Sequence, residues 1–274
     1  MANLLLHSLK EFDEIIFGTL DRAKPRRILE IGSETGAFSK MLIRYCELNR
    51  ACLTIVEPYP TAELSAIAER SDNIRLFAGK SVDYLSRFEC EADVVLIDGD
   101  HNYFTVSSEL EAIHASWAKS ETSGIVILHD VGFPCGRRDS YYDPPAIPEA
   151  ARHPHSYELG ITVGSAELVR GGFRGEGSFA WALHEGGPKN GVLTAVEDFL
   201  ASHGEYGYRA VDAVFGLGVV TLRDTPQERI AHDVFGAYDN ELTRRLERNR
   251  MALYLKVIEL QDALNARAAS VEAP

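Results

Sequence analysis

The stretch "RRILEIGSETGAFSKML", Arg26 to Leu42, decides the fold. Ile28, Leu29 and Ile31 lead, with Glu30 among them, into Gly32 and Gly36, and an amphipathic run follows. Strand-like residues that halt at glycine and resume at helical spacing predict a sharp strand-to-helix turn. The alternation then repeats. β-rich runs at 26–31, 52–57, 73–78, 92–98 and 124–130 are separated by helix-like stretches beginning near Ala37, Thr61, Ser81 and Tyr103. Such a chain predicts an α/β fold with a doubly wound, mostly parallel sheet. The runs at 92–98 and 124–130 are almost continuously apolar, as strands covered on both faces should be, and belong at the sheet centre. Two later runs, 208–215 and 216–223, read as a closing pair joined by a tight turn near Gly216–Gly218, for about seven strands in all.

Between these blocks the regularity stops. Residues 131–191 contain 17 of the 33 glycines and prolines and no long periodic helix. A structureless loop of that length is unusual inside a compact domain, so the segment is expected to be a folded lid or substrate-binding insertion after the fifth strand. The expected organisation is an N-terminal helix over 1–25, a core over 26–223 containing this insertion, and a C-terminal helical extension over 224–274. In the extension, Leu246, Leu253 and Leu260 recur every seven residues, as do Val257 and Leu264. Together the two rows form one seam over about two heptads, which fits either a helix packed on its own domain or a homodimer contact.

Composition excludes several classes. With 28 basic against 41 acidic residues the formal charge is −13, which argues against a nucleic-acid partner. The first twenty residues place Lys10, Glu11, Asp13 and Glu14 among apolar positions at helical spacing, with no unbroken apolar run, so neither a signal peptide nor a membrane partner is expected. The four cysteines show no metal-type spacing; Cys46 and Cys52 fall in helix and strand patterns read as buried. Reduced thiols and a cytoplasmic location follow as expectations.

A doubly wound sheet binds ligands beyond the carboxyl ends of its strands, where the strand order reverses, which places the Gly32–Gly36 turn at the site. Its G-S-E-T-G spacing differs from the G-x-G-x-x-G of dinucleotide binders, and Glu34 would set a negative charge near a pyrophosphate. A cofactor without phosphates fits better. About two dozen residues on, the second strand ends at Glu57, where a carboxylate can accept hydrogen bonds from a ribose diol.

With "EIGSETG", "IVEPY", "GKSVDYL" and "VVLIDGDHNY" in this order, the chain from Arg26 to Arg223 resembles the class I S-adenosylmethionine-dependent methyltransferases. It departs from many of them at Ser33–Thr35, where a second glycine is common. The resemblance implies S-adenosyl-L-methionine as cofactor. Glu30 would then order the turn and orient the methionine amine, Gly32 and Gly36 would line the methionine, and Glu57 would hold the ribose. Lys80 and Ser81 would pass the adenine, and Asp98 would lie near the methyl donor.

"IDGDHNY" and "ILHDVG" bring Asp98, Asp100, His101, His129 and Asp130 to the ends of two adjacent strands, about 4.8 Å apart in a parallel sheet. Carboxylates so crowded call for a divalent ion, a proton or hydrogen-bond partners. Here the chain is similar to the metal-dependent O-methyltransferases of small hydroxylated molecules, including those that methylate macrolide sugars in antibiotic biosynthesis. That similarity implies Asp98, His129 and Asp130 as ligands of Mg2+ or another divalent metal and His101 as base; His129 stands where an acid or amide is usual. In the insertion, Arg137 and Arg138 are candidate clamps for an acidic substrate group, Tyr141 and Tyr142 candidate stacking residues, and His184 an alternative base. The function expected is metal-assisted O-methylation of a small hydroxylated molecule. Metal-independent N- or O-methylation, a non-catalytic cofactor-binding scaffold and an iron-dependent hydroxylase on the same fold are the alternatives.

Overall fold

The computed structural model describes residues 5–162 and 164–272, with side chains to residue 267. Strands β1 (Arg27–Ile31), β2 (Cys52–Val56), β3 (Ile74–Phe77), β4 (Val94–Ile97) and β5 (Ile125–His129) alternate with helices α2 (Ala37–Asn49), α3 (Ala62–Glu69), α4 (Ser81–Arg87) and α5 (Tyr103–Ser120), after α1 (Asp13–Ala23). The insertion follows, with five short strands: β6 (Ser140–Tyr141), β7 (His155–Ser156), β8 (Leu159–Gly160), β9 (Val169–Arg170) and β10 (Ala180–Ala182). Helix α6 (Val192–Ser202), strands β11 (Tyr206–Val211) and β12 (Leu217–Leu222), and helices α7 (Pro226–Gly236) and α8 (Glu241–Glu272) complete the chain.

The central sheet has seven strands in the order β11-β12-β5-β4-β1-β2-β3, as the alternating pattern predicts. It is parallel except where β12 runs antiparallel to both β5 and β11. The order reverses between β1 and β4, so the Gly32 turn and the end of β4 share the crevice at the switch point. Alternate residues of each strand supply two cores. Ile28, Val94, Leu96, Ile125 and Ile127 pack against α1, α2 and α7, while Leu29, Val95, Ile97, Val126 and Leu128 pack against α4, α5 and α6. At roughly 1.5–3 kcal/mol for each fully buried aliphatic side chain, these paired faces are the main support of the strand ends that carry the site.

Several sequence expectations need correction. Of the N-terminal helix expected over 1–25, residues 1–4 lie outside the described residues. A 3-10 turn, Leu9–Phe12, opens the described helical segment, because the Ser8 hydroxyl accepts from Lys10 N and caps it. The C-terminal extension is two helices, divided at 237–240, where the Asn240 side chain accepts from Thr243 N and starts α8 afresh. Residues 273–274 of that extension, and Val163 of the insertion, also lie outside the described residues. The turn between the last two strands is residues 212–216 rather than Gly216–Gly218, with Val214 and Phe215 at positive φ (44° and 68°). Cys46 is buried as read, but Cys52, the first residue of β2, is exposed.

The insertion is folded. Strands β6, β10 and β7 form a three-stranded sheet and β8 and β9 a two-stranded one, around Trp181 and Tyr141. Its anchor is Asp139, fully buried, whose carboxylate accepts from Tyr103 N (2.8 Å), Gly191 N (2.7 Å) and Tyr141 Oη (2.7 Å). One side chain thus ties the insertion to the start of α5 and the entry to α6.

Candidate active site

The site begins with the turn after β1. Gly32 has φ +86°, and a Cβ there would stand 2.1 Å from the Asp98 carbonyl oxygen, so only glycine lets the turn lie against the end of β4. Gly36, φ +74°, is the N-cap of α2; a Cβ there would meet Leu64 and Thr61 only at ordinary van der Waals distance, 3.8–3.9 Å, so its need is for the left-handed backbone alone. Glu57 orders the turn: its Oε2 accepts from Ser33 N (2.8 Å) and Glu34 N (3.1 Å), its Oε1 from Tyr59 N (3.0 Å). This corrects the assignment of that role to Glu30. Glu30 lies beneath, buried, with Oε2 unpartnered and its carboxyl pushed up to about 8 by burial. The diol contact expected of Glu57 is narrowed, because the turn holds Oε2 and Tyr59 N already occupies one lone pair of Oε1.

Four groups meet at the ends of β4 and β5. His129, its side chain fully buried, places Nε2 2.8 Å from the Val214 carbonyl oxygen, so that nitrogen carries a hydrogen and donates it. Its Nδ1 faces Asp98 Oδ1 at 3.0 Å and Asp130 Oδ2 at 3.2 Å. His101 Nε2 approaches the same oxygens, at 3.5 and 3.2 Å. Asp130 holds this place at φ 58°, a left-handed backbone uncommon outside glycine.

The electrostatics follow from this crowding. Burial opposes charge on both histidines, but the carboxylates of Asp130 and Asp98 outweigh it, holding His129 well above its ordinary value and His101 up at about 9. Reciprocally, and against burial, the imidazoles depress Asp98 and push Asp130 down to about 2. Two carboxylates therefore stay ionised in a buried site and draw positive charge to the space between them. Ligand atoms of Asp98, His129 and Asp130 lie within 4.8 Å of one another. The Val214 carbonyl bond fixes the His129 tautomer that turns Nδ1 toward the carboxylates, the backing that metal-bound histidines have. The residues thus fit a divalent cation of intermediate softness. The neighbouring set His101, Asp130 and Cys135 fits less well, since burial and Asp130 keep the Cys135 thiol protonated.

Beside this cluster lie polar groups without protein partners: Asp100 Oδ1, Asn102 Nδ2 and both oxygens of Glu109 are buried and unbonded. Buried polar groups left open in this way suit a polar ligand or ordered water. Asn102 and Glu109 escape sequence reading because one looks like an ordinary helix cap and the other like a solvated helix residue.

Residues 29–131 match the family model described as a methyltransferase domain. No curated protein matches the chain. Among solved structures it is similar to the SAH-bound methyltransferase PaMTH1 of Podospora anserina, at 18% identity and TM-score 0.47 over 80% of each chain. It is also similar to the O-methyltransferase TomG of Streptomyces achromogenes, involved in tomaymycin synthesis and solved with SAM, at 16% identity and TM-score 0.42 over 78% of this chain and 85% of that one. A third, a putative caffeoyl-CoA O-methyltransferase from Staphylococcus aureus, has 14% identity and TM-score 0.42 over 78% and 90%.

The matched segment contains Glu30, Gly32, Gly36, Glu57, Lys80, Ser81, Asp98, His101, His129 and Asp130, and ends one residue after Asp130. Candidates beyond it fare differently. Tyr142 reaches the cluster, its ring 5.8 Å from that of His101 and 51% exposed, so it is open to a substrate. Arg138 and Tyr141 do not. Arg138, 1% exposed, donates to the carbonyls of Ala182 and Ala166, and Tyr141 is buried on Asp139. Backbone carbonyls of the insertion take the Arg138 donors and the Asp139 carboxylate takes the Tyr141 hydroxyl, which corrects the substrate roles expected of both. Arg137 is engaged bidentately by Glu197 of α6. His184 pairs with Glu167 on the exposed rim (2.7 Å), with no contact to Asp98 or Asp130 among the described residues. Lys80 bonds Asp143 of the insertion (2.7 Å), a link that bridges the domain and its cover.

Proposed function

We propose that the chain transfers a methyl group from S-adenosylmethionine to a hydroxyl oxygen of a small hydroxylated molecule, such as a sugar unit of a secondary metabolite, assisted by Mg2+ or another divalent cation. The observation that carries this reading is the convergence of Asp98, His129 Nδ1 and Asp130 beside the Gly32 turn, with His129 tautomer-locked by Val214. S-adenosylmethionine supplies, when bound, an electrophilic methyl on a sulfonium. A divalent cation supplies, when bound, Lewis acidity toward a substrate hydroxyl.

The protein's own groups do the rest. The turn held by Glu57 would seat the cofactor's polar end over the β1–β4 crevice, and among the unbonded groups Asp100 Oδ1 would accept from, and Asn102 Nδ2 donate to, a polar partner. Asp98, His129 and Asp130 would hold the cation. The carboxylates that keep His101 protonated are those a bound cation would neutralise; with the cation in place, His101 Nε2 would be free to take the hydroxyl proton. Tyr142 and the insertion orient the acceptor and exclude water, so that most of the acceleration comes from alignment. Methyl transfer to a panel of sugars and phenols, run with and without chelator, tests the reading. Chelator-sensitive transfer that Asp98→Asn abolishes supports it. Full activity of Asp98→Asn in chelator replaces it with metal-independent transfer using His101 as base.

We further propose a homodimer through α8. Leu246 (61% exposed), Leu253 (60%), Leu260 (54%) and Leu264 (63%), with Val257, share one stripe, opposite the Met251 and Leu255 face that packs on the body. Leucine at one core row and valine in the other is the self-complementary pattern of a two-stranded coiled coil, and its match is a second copy of the same stripe.

A further inference from the structure

A second cluster of metal-binding side chains lies away from the switch point, where α5, the end of α6 and the start of β11 meet. His114 of α5 and His203, the C-cap of α6, bring their rings to 4.1 Å between centroids, inclined 44°. One ligand atom from each of His114, His203 and Glu205 lies within 4.8 Å of the others. The outer nitrogens are already engaged. His203 Nε2 stands 3.2 and 3.1 Å from the two oxygens of Glu111, and His114 Nδ1 is 3.1 Å from the hydroxyl of Tyr206, which is buried. With Nε2 turned to Glu111, Nδ1 is the His203 nitrogen left for a ligand, and it faces Glu205 Oε1 at 3.8 Å, too far for a hydrogen bond. A histidine whose second nitrogen is bound to a carboxylate or hydroxyl is the arrangement that orients metal ligands.

We propose that His114, His203 and Glu205 bind a transition-metal ion of the Zn2+ class at this place, as a clip separate from the Asp98 cluster. Two imidazoles and a carboxylate form a three-ligand set that zinc accepts, at about 2.0–2.2 Å from each, with water in the fourth position. Tetrahedral geometry at those lengths sets ligand atoms roughly 3.3 Å apart, against 3.8 Å between His203 Nδ1 and Glu205 Oε1, whose side chain is half-exposed. The distance along α5 from Tyr103 to His114 is about 16 Å, at 1.5 Å per residue, and no contact joins the cluster to Asp98, His129 or Asp130 among the described residues. The bound ion would join α5 to the α6–β11 junction, the segment that returns the chain from the insertion to the sheet.

The test is Zn2+ stoichiometry after equilibrium dialysis of the full chain, read by elemental analysis, with the Co2+ d–d spectrum as a geometric check. The expected result is that the His114→Gln, His203→Ala double variant binds one equivalent fewer than the parent, that Asp98→Asn keeps that equivalent, and that Glu205→Gln weakens it about tenfold. Circular dichroism confirms that each variant is folded, and His114→Gln alone, which preserves side-chain bulk, repeats the loss if the double variant is not. Equal stoichiometry and affinity in the parent and the histidine variants overturns the site. Unchanged affinity in Glu205→Gln overturns the three-ligand set.

Discussion

Glu57 shows how one side chain can serve the fold and the ligand together. Its carboxylate holds two amides of the turn and the Tyr59 amide while standing at the end of β2, where a ribose would lie. Removing it takes charged hydrogen bonds from both. Glu57→Ala is expected to weaken S-adenosylmethionine binding by about 2 kcal/mol in isothermal calorimetry; unchanged affinity in a folded variant would discard the ribose assignment. Asp139 has no such second task. It is buried and accepts three hydrogen bonds, from the start of α5, from β6 and from the entry to α6. Asp139→Ala leaves two backbone amides and a hydroxyl unsatisfied, and is expected to lower unfolding free energy by about 2–4 kcal/mol in urea melts. A loss under 1 kcal/mol would mean that solvent reaches those donors.

Among the elements, α8 connects the outer surface to the site. Its inner face is held by Asp262, which binds Arg174 of the insertion bidentately at 2.9 and 3.0 Å, and by Glu247, which accepts from Phe215 N. Phe215 follows Val214, whose carbonyl fixes His129. Arg250, paired with Glu247, stacks 5.0 Å over the Phe215 ring. The helix therefore backs the loop that orients a candidate metal ligand, while its leucine stripe faces away. If that stripe is a dimer seam, Leu253→Asp with Leu260→Asp should give a monomer by light scattering with unchanged circular dichroism. A parent chain that is monomeric at tens of micromolar would remove the seam.

For the molecule as a whole, the buried acids set a pH dependence. Glu109 is fully buried, and burial, reinforced by the charge of Asp100, pushes it up to about 8, with His101 opposing. In the unfolded chain it titrates near 4.5. Between those values the folded state holds a proton that the unfolded state has released, so stability falls as pH rises through that window and levels off above it. Glu30, also held at about 8, acts with the same sign. Glu109→Gln is expected to flatten the slope and to exceed the parent in stability above pH 8 by a few kcal/mol, measured as the difference between the two urea-midpoint profiles from pH 5 to 9. Parallel profiles would show that Glu109 ionises freely in the folded protein.

The sequence by itself determined the doubly wound sheet, the starts of four helices within a residue or so, and the line of Gly32, Gly36, Glu57, Asp98, His129 and Asp130, because each is written in local periodicity and in the rule that ligands meet strand ends. No helix among the described residues is long and apolar enough to cross a membrane. Only the tertiary structure decided which charges are spent. Arg138 and Arg137 read alike in sequence, yet one is sealed in the insertion and the other spans to α6. His129 becomes a tautomer-locked ligand candidate only because Val214, 85 residues later, turns its carbonyl inward at a left-handed backbone position. His114 and His203, far apart in the chain, face each other only where α5 and α6 pack. Such partnerships depend on long-range packing, and the period of an isolated segment carries no record of them.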